Sequence, residues 1–214
     1  MALWDLFLNN TDRIIHKWIH YFPIYEQHFN RYIDQPLLFL EIGCGEGGSL
    51  QMWKKYFGPH ATIVGIDVDP KCQEFEEEQI SIRIGDQANT HFLGSILEEF
   101  GTPDIVLDDG SHMMNDILAS FQFLYPRIDK RGIYVVEDLH TAYWEEYGGG
   151  LQKETTFIEH CKRLIDELNA DHARGALEAS DFTKTTLSMN FYDSMVVFQK
   201  GSYNRKYAPK MGHI

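Results

Sequence analysis

From residue 37 onward, short apolar runs alternate with amphipathic stretches, and that alternation sets the expected fold. Leu37 to Ile42 is apolar throughout except for Glu41, which suits a strand buried on both faces. Gly43 to Gly48 follows as a glycine-rich turn, and Ser49 to Phe57 reads as a helix. Further strands are predicted at Thr62 to Ile66, Ile80 to Ile84, Asp104 to Leu107 and Ile133 to Val136. Between and after them, helices are predicted over Pro70 to Glu78, Thr90 to Phe100, Met113 to Tyr125 and 155–169. Two last apolar segments, Thr185 to Asn190 and Ser194 to Gln199, are separated only by Phe191-Tyr192-Asp193 and should pair as an antiparallel hairpin. The pattern predicts an α/β fold: a Rossmann-like, seven-stranded, mostly parallel sheet with helices on both faces and a C-terminal antiparallel hairpin. Residues 10–34 are helix-like and rich in aromatics, broken at Pro23. The expected organisation is an N-terminal helical cap over 1–35 and one main domain over 36–214. Within the cap, His20 to Phe29 could pack on the sheet or cover a ligand, and the lid is the favoured reading.

The abrupt ends of two strands carry the chemistry. Ile105-Val106-Leu107 stops on Asp108-Asp109-Gly110-Ser111-His112, and Ile133 to Val136 stops on Glu137-Asp138-Leu139-His140. In a parallel α/β sheet the strand carboxyl ends line the ligand crevice. Four carboxylates gathered there repel one another, so a cation is expected among them, most simply a divalent metal. Hard carboxylate oxygens suit Mg²⁺. Strand neighbours point to opposite faces, so Glu137 and Asp138 reach one ion only if the strand ends before them. By the same alternation Asp108 should face a cofactor and Asp109 the metal. His112 lies three residues past Asp109, which lets a general base share the metal's site; His140 is the rival base.

The turn Glu41-Ile42-Gly43-Cys44-Gly45-Glu46-Gly47-Gly48 permits close approach of backbone to ligand. Its Gly43, Gly45 and Gly48 also fit a dinucleotide-binding frame. Asp67, at the end of the second strand, is placed to accept ribose hydroxyls, and Asp86, after the third, to face an adenine.

The totals narrow the partners. A formal net charge of −13 argues against nucleic acid, whose phosphates need surplus Lys and Arg. Three widely spaced cysteines, Cys44, Cys72 and Cys161, form neither a disulfide framework nor a zinc pattern, which points to a reducing cytoplasm. No apolar stretch is long enough to cross a bilayer, and Met1-Ala2-Leu3-Trp4-Asp5 has no secretory character, so no membrane partner is expected.

Glu41-x-Gly43-x-Gly45, Asp67 and Asp86 together resemble the successive motifs of class I S-adenosylmethionine-dependent methyltransferases. The acid two positions before the first glycine separates this pattern from the nicotinamide dehydrogenases. The resemblance spans about residues 36 to 200. It implies that S-adenosyl-L-methionine lies against Glu41, Gly43, Gly45, Ser49, Asp67, Asp86 and Asp108. A narrower resemblance rests on Leu107 to His112 paired with Val136 to Trp144. The two blocks are similar to the metal-dependent sugar O-methyltransferases of macrolide biosynthesis, the mycinamicin type, and to related rhamnosyl O-methyltransferases. That resemblance implies Mg²⁺ held by Asp109, Glu137 and Asp138, with His112 as general base. The implied acceptor is a hydroxyl of a sugar or glycosylated small molecule. Those enzymes often carry a large N-terminal region, whereas about 35 residues precede the first strand here, and the glycine turn is short. Both departures leave the acceptor open. Tyr143, Trp144 and Tyr147, ahead of Gly148-Gly149-Gly150, could cover an acceptor sugar or form an ordinary surface loop. A nicotinamide-linked oxidoreductase and a non-catalytic cofactor-binding protein are the competing readings, and a homo-oligomer is a fair expectation for a cytosolic enzyme.

Overall fold

The computed structural model describes residues 2–202 and 206–212; residues 203–205 and 213–214 of the expected main domain lie outside the described residues. Its strands are β1 (Leu37–Ile42), β2 (Ala61–Asp67), β3 (Ile80–Ile84), β4 (Ile105–Asp108), β5 (Ile133–Val136), β6 (Thr186–Tyr192) and β7 (Met195–Lys200). They form one sheet in the order β3-β2-β1-β4-β5-β7-β6. The first five are mutually parallel, and β7 runs antiparallel between β5 and β6; the hairpin turn is tighter than expected, only Asp193 and Ser194, because Phe191 and Tyr192 pair within β6. The chain reverses its direction of winding between β1 and β4, so the ligand crevice opens at their carboxyl ends.

The helices are α1 (Leu3–Leu8), α2 (Phe22–Phe29), α3 (Gly48–Phe57), α4 (Thr90–Phe100), α5 (Met114–Leu124), α6 (Phe157–Leu168) and α7 (Asp181–Thr185). Side-chain alternation along the strands builds two cores. Phe39, Ile63, Leu107 and Val135 pack with α1, α2 and α3, whereas Leu40, Val64, Val106 and Val136 pack with α4, α5 and α6.

The N-terminal region departs from the expectation in an informative way. Pro23 does not break a helix; it sits in the first turn of α2, where its missing N–H costs nothing. The expected lid is a core element instead. Tyr21, Phe22, Tyr25 and Phe29 are all 1 % exposed or less, and the Tyr25 ring meets Trp53 edge-on at 5.1 Å. What crosses the crevice is the segment ahead of it. Residues 10–18 form no helix and run as an extended strap. Arg13 pins the strap by donating to the Phe75 carbonyl at 2.8 Å. The predicted helix Pro70 to Glu78 also shrinks, to a 3-10 turn over Pro70–Phe75. Glu76 is drawn out of helical geometry by the Ile82 amide and Arg83, and Glu77 by a backbone bridge to Ile80.

Candidate active site

The glycine turn after β1 is shaped by the end of β4. Gly43 has φ +90°, and a Cβ there would lie 2.1 Å from the Asp109 carbonyl oxygen. Only glycine lets the two strand ends close up, which sets the Asp109 side chain beside the turn. Gly43→Ala is therefore expected to cost more than about 2 kcal/mol of stability, since it combines backbone strain with a contact that no rotamer relieves. Urea denaturation against wild type measures this, and a loss below 0.5 kcal/mol, about the size of an ordinary surface substitution, would contradict it.

Three adjoining cavities run along the crevice. The first, about 250 Å³, is lined by Asp67, Asp86, Gln87, Gly110 and Ser111 among others. The second, about 370 Å³, is lined by Gly45, Ser49, Asp67 and Asp109, and shares Gly43, Asp67 and Gly110 with the first. The third, about 160 Å³, is lined by Trp18, Tyr21, Glu137 and Asp138, and shares His16, Lys17 and Asp109 with the second. Together they are large enough for a cofactor with an acceptor beside it.

Most residues expected at a cofactor border the first two cavities. Asp67 already holds the glycine turn: its Oδ2 accepts from the Cys44 and Gly45 amides at 2.7 and 3.3 Å. Asp86 is exposed, and its Oδ1 accepts from the Ala88 amide at 2.8 Å. Glu41 is fully buried and receives Ser49 Oγ at 2.8 Å and the Trp53 indole N–H at 3.4 Å. Burial lifts the Glu41 carboxyl above its usual range, with Lys17 pulling the other way. Asp108 is placed differently. It is 1 % exposed, and its carboxylate accepts from Ser120 Oγ at 2.6 Å, Gln87 Nε2 at 3.0 Å and Tyr134 OH at 3.2 Å. Its neighbour Gln87 in turn accepts the Ser111 amide at 2.7 Å, so Asp108 acts on the crevice through Gln87.

Burial pushes Asp108 up to about 6, against the hydrogen bonds that favour its charge. An acid with a raised folded-state pKa binds more protons folded than unfolded, so stability falls as pH rises through the window from about 4 to about 6. Asp108→Asn should remove that slope. The wild-type stability minus the variant's is expected to drop by on the order of 2–3 kcal/mol between pH 4 and 7. A difference independent of pH would show that Asp108 does not titrate there.

The acid cluster forms where β5 ends. Asp138 adopts a left-handed conformation, φ +53°, which cancels the strand alternation. Glu137 and Asp138 therefore both turn toward the N-terminal segment. Glu137 accepts from Tyr25 OH and from Lys17 Nζ at 3.0 Å, and Asp138 Oδ1 accepts from Tyr21 OH at 2.7 Å. Lys17 Nζ also lies 2.5 Å from Asp109 Oδ2 and 3.4 Å from Glu41 Oε1, although its side chain is only 3 % exposed. Burial works against the Lys17 charge, but the three carboxylates outweigh it and hold the ammonium well above its ordinary range. Burial likewise raises Glu137, opposed by Lys17.

His112 completes the cluster. Its φ of +58° is a second left-handed residue in the site, and such strain concentrates where function fixes geometry. His112 Nε2 lies 3.9 Å from Asp109 Oδ1 and 3.7 Å from Asp138 Oδ2. Asp109, His112 and Asp138 each offer a ligand atom within 4.8 Å of the others. Glu137 reaches Asp109 through the shared Lys17 ammonium. Glu137 stands outside that converging set; the cation it meets here is the ammonium, which Asp109, Glu137 and Glu41 surround. His140 is engaged elsewhere: its Nδ1 is 2.6 Å from Ser194 Oγ, and it lines a separate cavity with Tyr143 and Phe191. Its ring joins an aromatic wall, 5.9 Å from Trp18 and 4.8 Å from Trp144, and Trp144 continues to Tyr147 at 5.9 Å.

Sequence reasoning missed Lys17, Tyr21 and Tyr25. The signal for Lys17 was indirect: clustered acids demanded a cation, and a lysine amid aromatic residues was available to supply it.

No protein-family model matches the chain. It is 37 % identical over 196 residues to an 8-demethyl-8-(2-methoxy-alpha-L-rhamnosyl)-tetracenomycin-C 3'-O-methyltransferase of Streptomyces olivaceus, covering 86 % of this chain and 50 % of that protein. It is 35 % identical over 200 residues to the mycinamicin VI 2''-O-methyltransferase of Micromonospora griseorubida, covering 86 % and 49 %. The solved MycE methyltransferase of the mycinamycin pathway, in complex with Mg, SAH and mycinamycin VI, superimposes with a TM-score of 0.82. The identity there is 31 %, over 97 % of this chain and 54 % of MycE. The chain is a homologue of the sugar O-methyltransferases of macrolide pathways. It spans about half the length of the curated relatives it matches. As in those methyltransferases, the fold is Rossmann-like, so the expected sheet with its terminal antiparallel hairpin is borne out.

Proposed function

We propose that this sugar O-methyltransferase homologue moves a methyl group from S-adenosyl-L-methionine to a hydroxyl of a sugar or glycosylated small molecule, with a divalent ion such as Mg²⁺ in the site. The observation that carries the reading is the convergence of Asp109, His112 and Asp138 at the edge of a crevice, in a chain whose relatives are sugar O-methyltransferases. In this reading Gly43, Gly45, Ser49, Asp67 and Asp86 border the cofactor, Glu41 holds Ser49 in place from within the core, and Asp109, Glu137 and Asp138 would hold the ion. When bound, the cofactor supplies an electrophilic methyl group and the ion a positive charge that acidifies and orients a hydroxyl.

The protein's own contribution is positioning and proton removal. Methyl transfer is an in-line displacement, with the reacting atoms about 3–3.5 Å apart at the start. The wall of Trp18, Trp144 and Tyr147 offers apolar faces on which a sugar ring can lie. Nε2 of His112, directed at the carboxylate cluster, takes the proton from the acceptor hydroxyl. The relatives named above are all methyltransferases, and the nicotinamide-linked reading has no counterpart among them. Among the described residues no helix is long and apolar enough to cross a membrane. The proposed cytoplasmic setting is supported by Cys44, Cys72 and Cys161, all free thiols.

S-adenosylhomocysteine at about 100 times its Kd should add about 2.7 kcal/mol of stability, read as a rise in melting temperature. NAD(P)H should add none. With a rhamnoside or macrolide-glycoside panel, methyl transfer should stop on chelation and return with Mg²⁺. A protein stabilised by NADPH and indifferent to S-adenosylhomocysteine would overturn the reading, and transfer unaffected by EDTA would remove the ion from it.

A further inference from the structure

Lys17 stands where two functions of the proposed site meet. It lines both the 370 Å³ cavity beside the glycine turn and the 160 Å³ cavity beside Glu137 and Asp138. Its ammonium is 2.5 Å from Asp109 Oδ2 and 3.0 Å from Glu137 Oε2. Mg²⁺ holds its oxygen ligands at about 2.0–2.1 Å, so an ion taken up by those two carboxylates would need the space the ammonium fills. An ammonium and a divalent ion cannot share that space: their cores overlap, and like charges so close in a buried site repel strongly. Binding of the ion at Asp109 and Glu137 thus requires Lys17 to leave.

The carrier of Lys17 is built to allow this. Residues 10–18 have no helix or strand hydrogen bonding. They are tied down mainly by side chains: Asn10 to the Arg13 carbonyl, Arg13 to Phe75 and Gln51, and Lys55 to Asp12. Beneath them, a Cβ at Gly48 would lie 2.2 Å from the Ile14 carbonyl oxygen, so the strap rests directly on the first residue of α3. Its two ends are fixed, by Leu3 and Tyr21, both fully buried. Within residues 10–18 Ile15 alone among the apolar side chains packs against the core, so lifting the middle gives up that one apolar contact and the side-chain ties.

We infer that residues 10–18 are a cation-released latch: the Lys17 ammonium neutralises Asp109, Glu137 and Glu41 and separates the cofactor cavity from the acceptor cavity, and a divalent ion displaces it and joins the two. The inference rests on the methyltransferase reading above, in that it takes Asp109 and Glu137 as ligands of the ion. It makes Lys17 a positioning residue with a second consequence. Because the ion competes with an internal cation, its apparent affinity is lowered by the fraction of protein in which Lys17 is seated.

The experiment uses the full chain with Mn²⁺ alone as probe, and two readouts independent of turnover. Trypsin cleaves after Lys17 only if that side chain is free to enter the protease. Cleavage between Lys17 and Trp18 should be slow without Mn²⁺ and accelerate about tenfold or more when it saturates the site, while cleavage elsewhere is unchanged. Calorimetry should show Lys17→Met binding Mn²⁺ at least about tenfold more tightly than wild type. Lys17→Arg, which keeps the charge, should bind no more tightly than wild type and retain the accelerated cleavage. Mn²⁺ binding with no change in cleavage after residue 17 would overturn the latch and leave the ion site standing. No Mn²⁺ binding by wild type or by Lys17→Met would overturn the ion site and the latch with it.

Discussion

His112→Asn is expected to lower turnover by about 10²–10⁴-fold, the range spanned by removal of a positioned general base. Asn is the chosen replacement because His112 sits at φ +58°, a conformation that Asn tolerates far better than Ala or a branched residue. The fold should therefore survive, and the melting temperature should stay within a few degrees of wild type. The loss should fall on kcat with little change in the affinity for S-adenosylhomocysteine, since His112 is absent from the walls of the two cavities proposed for the cofactor. His140→Asn supplies the contrast. Its ring is held by Ser194 and set edge-on in the aromatic wall, so its replacement should affect acceptor KM more than kcat. If His140→Asn abolished turnover while His112→Asn did not, the base would have been assigned to the wrong ring.

The fold was legible in the sequence because the central strands are near-continuous apolar runs, β3 and β6 alternate apolar with polar residues, and each strand ends on or just before a glycine or a carboxylate. Leu37 to Ile42 announces a strand buried on both faces, and all six of its residues are buried. The convergence of Asp109 with Asp138 was legible for the same reason: adjacent parallel strands place their ends side by side. Three features lay beyond the pattern. The left-handed turn at Asp138 depends on tertiary contacts, here the Tyr21 hydroxyl and the Ser194 carbonyl that receives the Leu139 amide. Asp108 follows strand alternation, but whether it met a ligand or a buried Ser120 depended on a helix packed above it. The strap could not be read because its backbone conformation is set by distant partners, Gln51, Phe75 and Gly48, rather than by its own periodicity. Aromatic content alone drew the lid to His20 to Phe29, where the same rings are wanted by the core.

Asp109→Asn should reduce turnover by at least about 10³-fold, equivalent to about 4 kcal/mol of the barrier, which is the scale of charge stabilisation a metal supplies. The substitution is nearly isosteric and keeps a polar group against Lys17, so the reason for the loss is charge. Asp109 touches both halves of the cluster: its Oδ2 meets Lys17, its Oδ1 faces His112, and it converges with His112 and Asp138. Removing its charge weakens the hold on a divalent ion and leaves Lys17 balanced by Glu137 and Glu41 alone. Mn²⁺ affinity measured by calorimetry should fall in parallel with kcat, and added Mg²⁺ in the tens of millimolar range should restore part of the rate. Glu137→Gln separates the two roles that its neighbourhood suggests. Both Glu137 oxygens are engaged, one by Tyr25 and one by Lys17. If Glu137 is a ligand once Lys17 leaves, its neutral variant should lose Mn²⁺ affinity as Asp109→Asn does. If it serves only as the counter-ion of Lys17, Mn²⁺ affinity should hold and the loss should appear in stability. An Asp109→Asn protein with wild-type turnover and wild-type ion affinity would remove the acid cluster from the chemistry altogether.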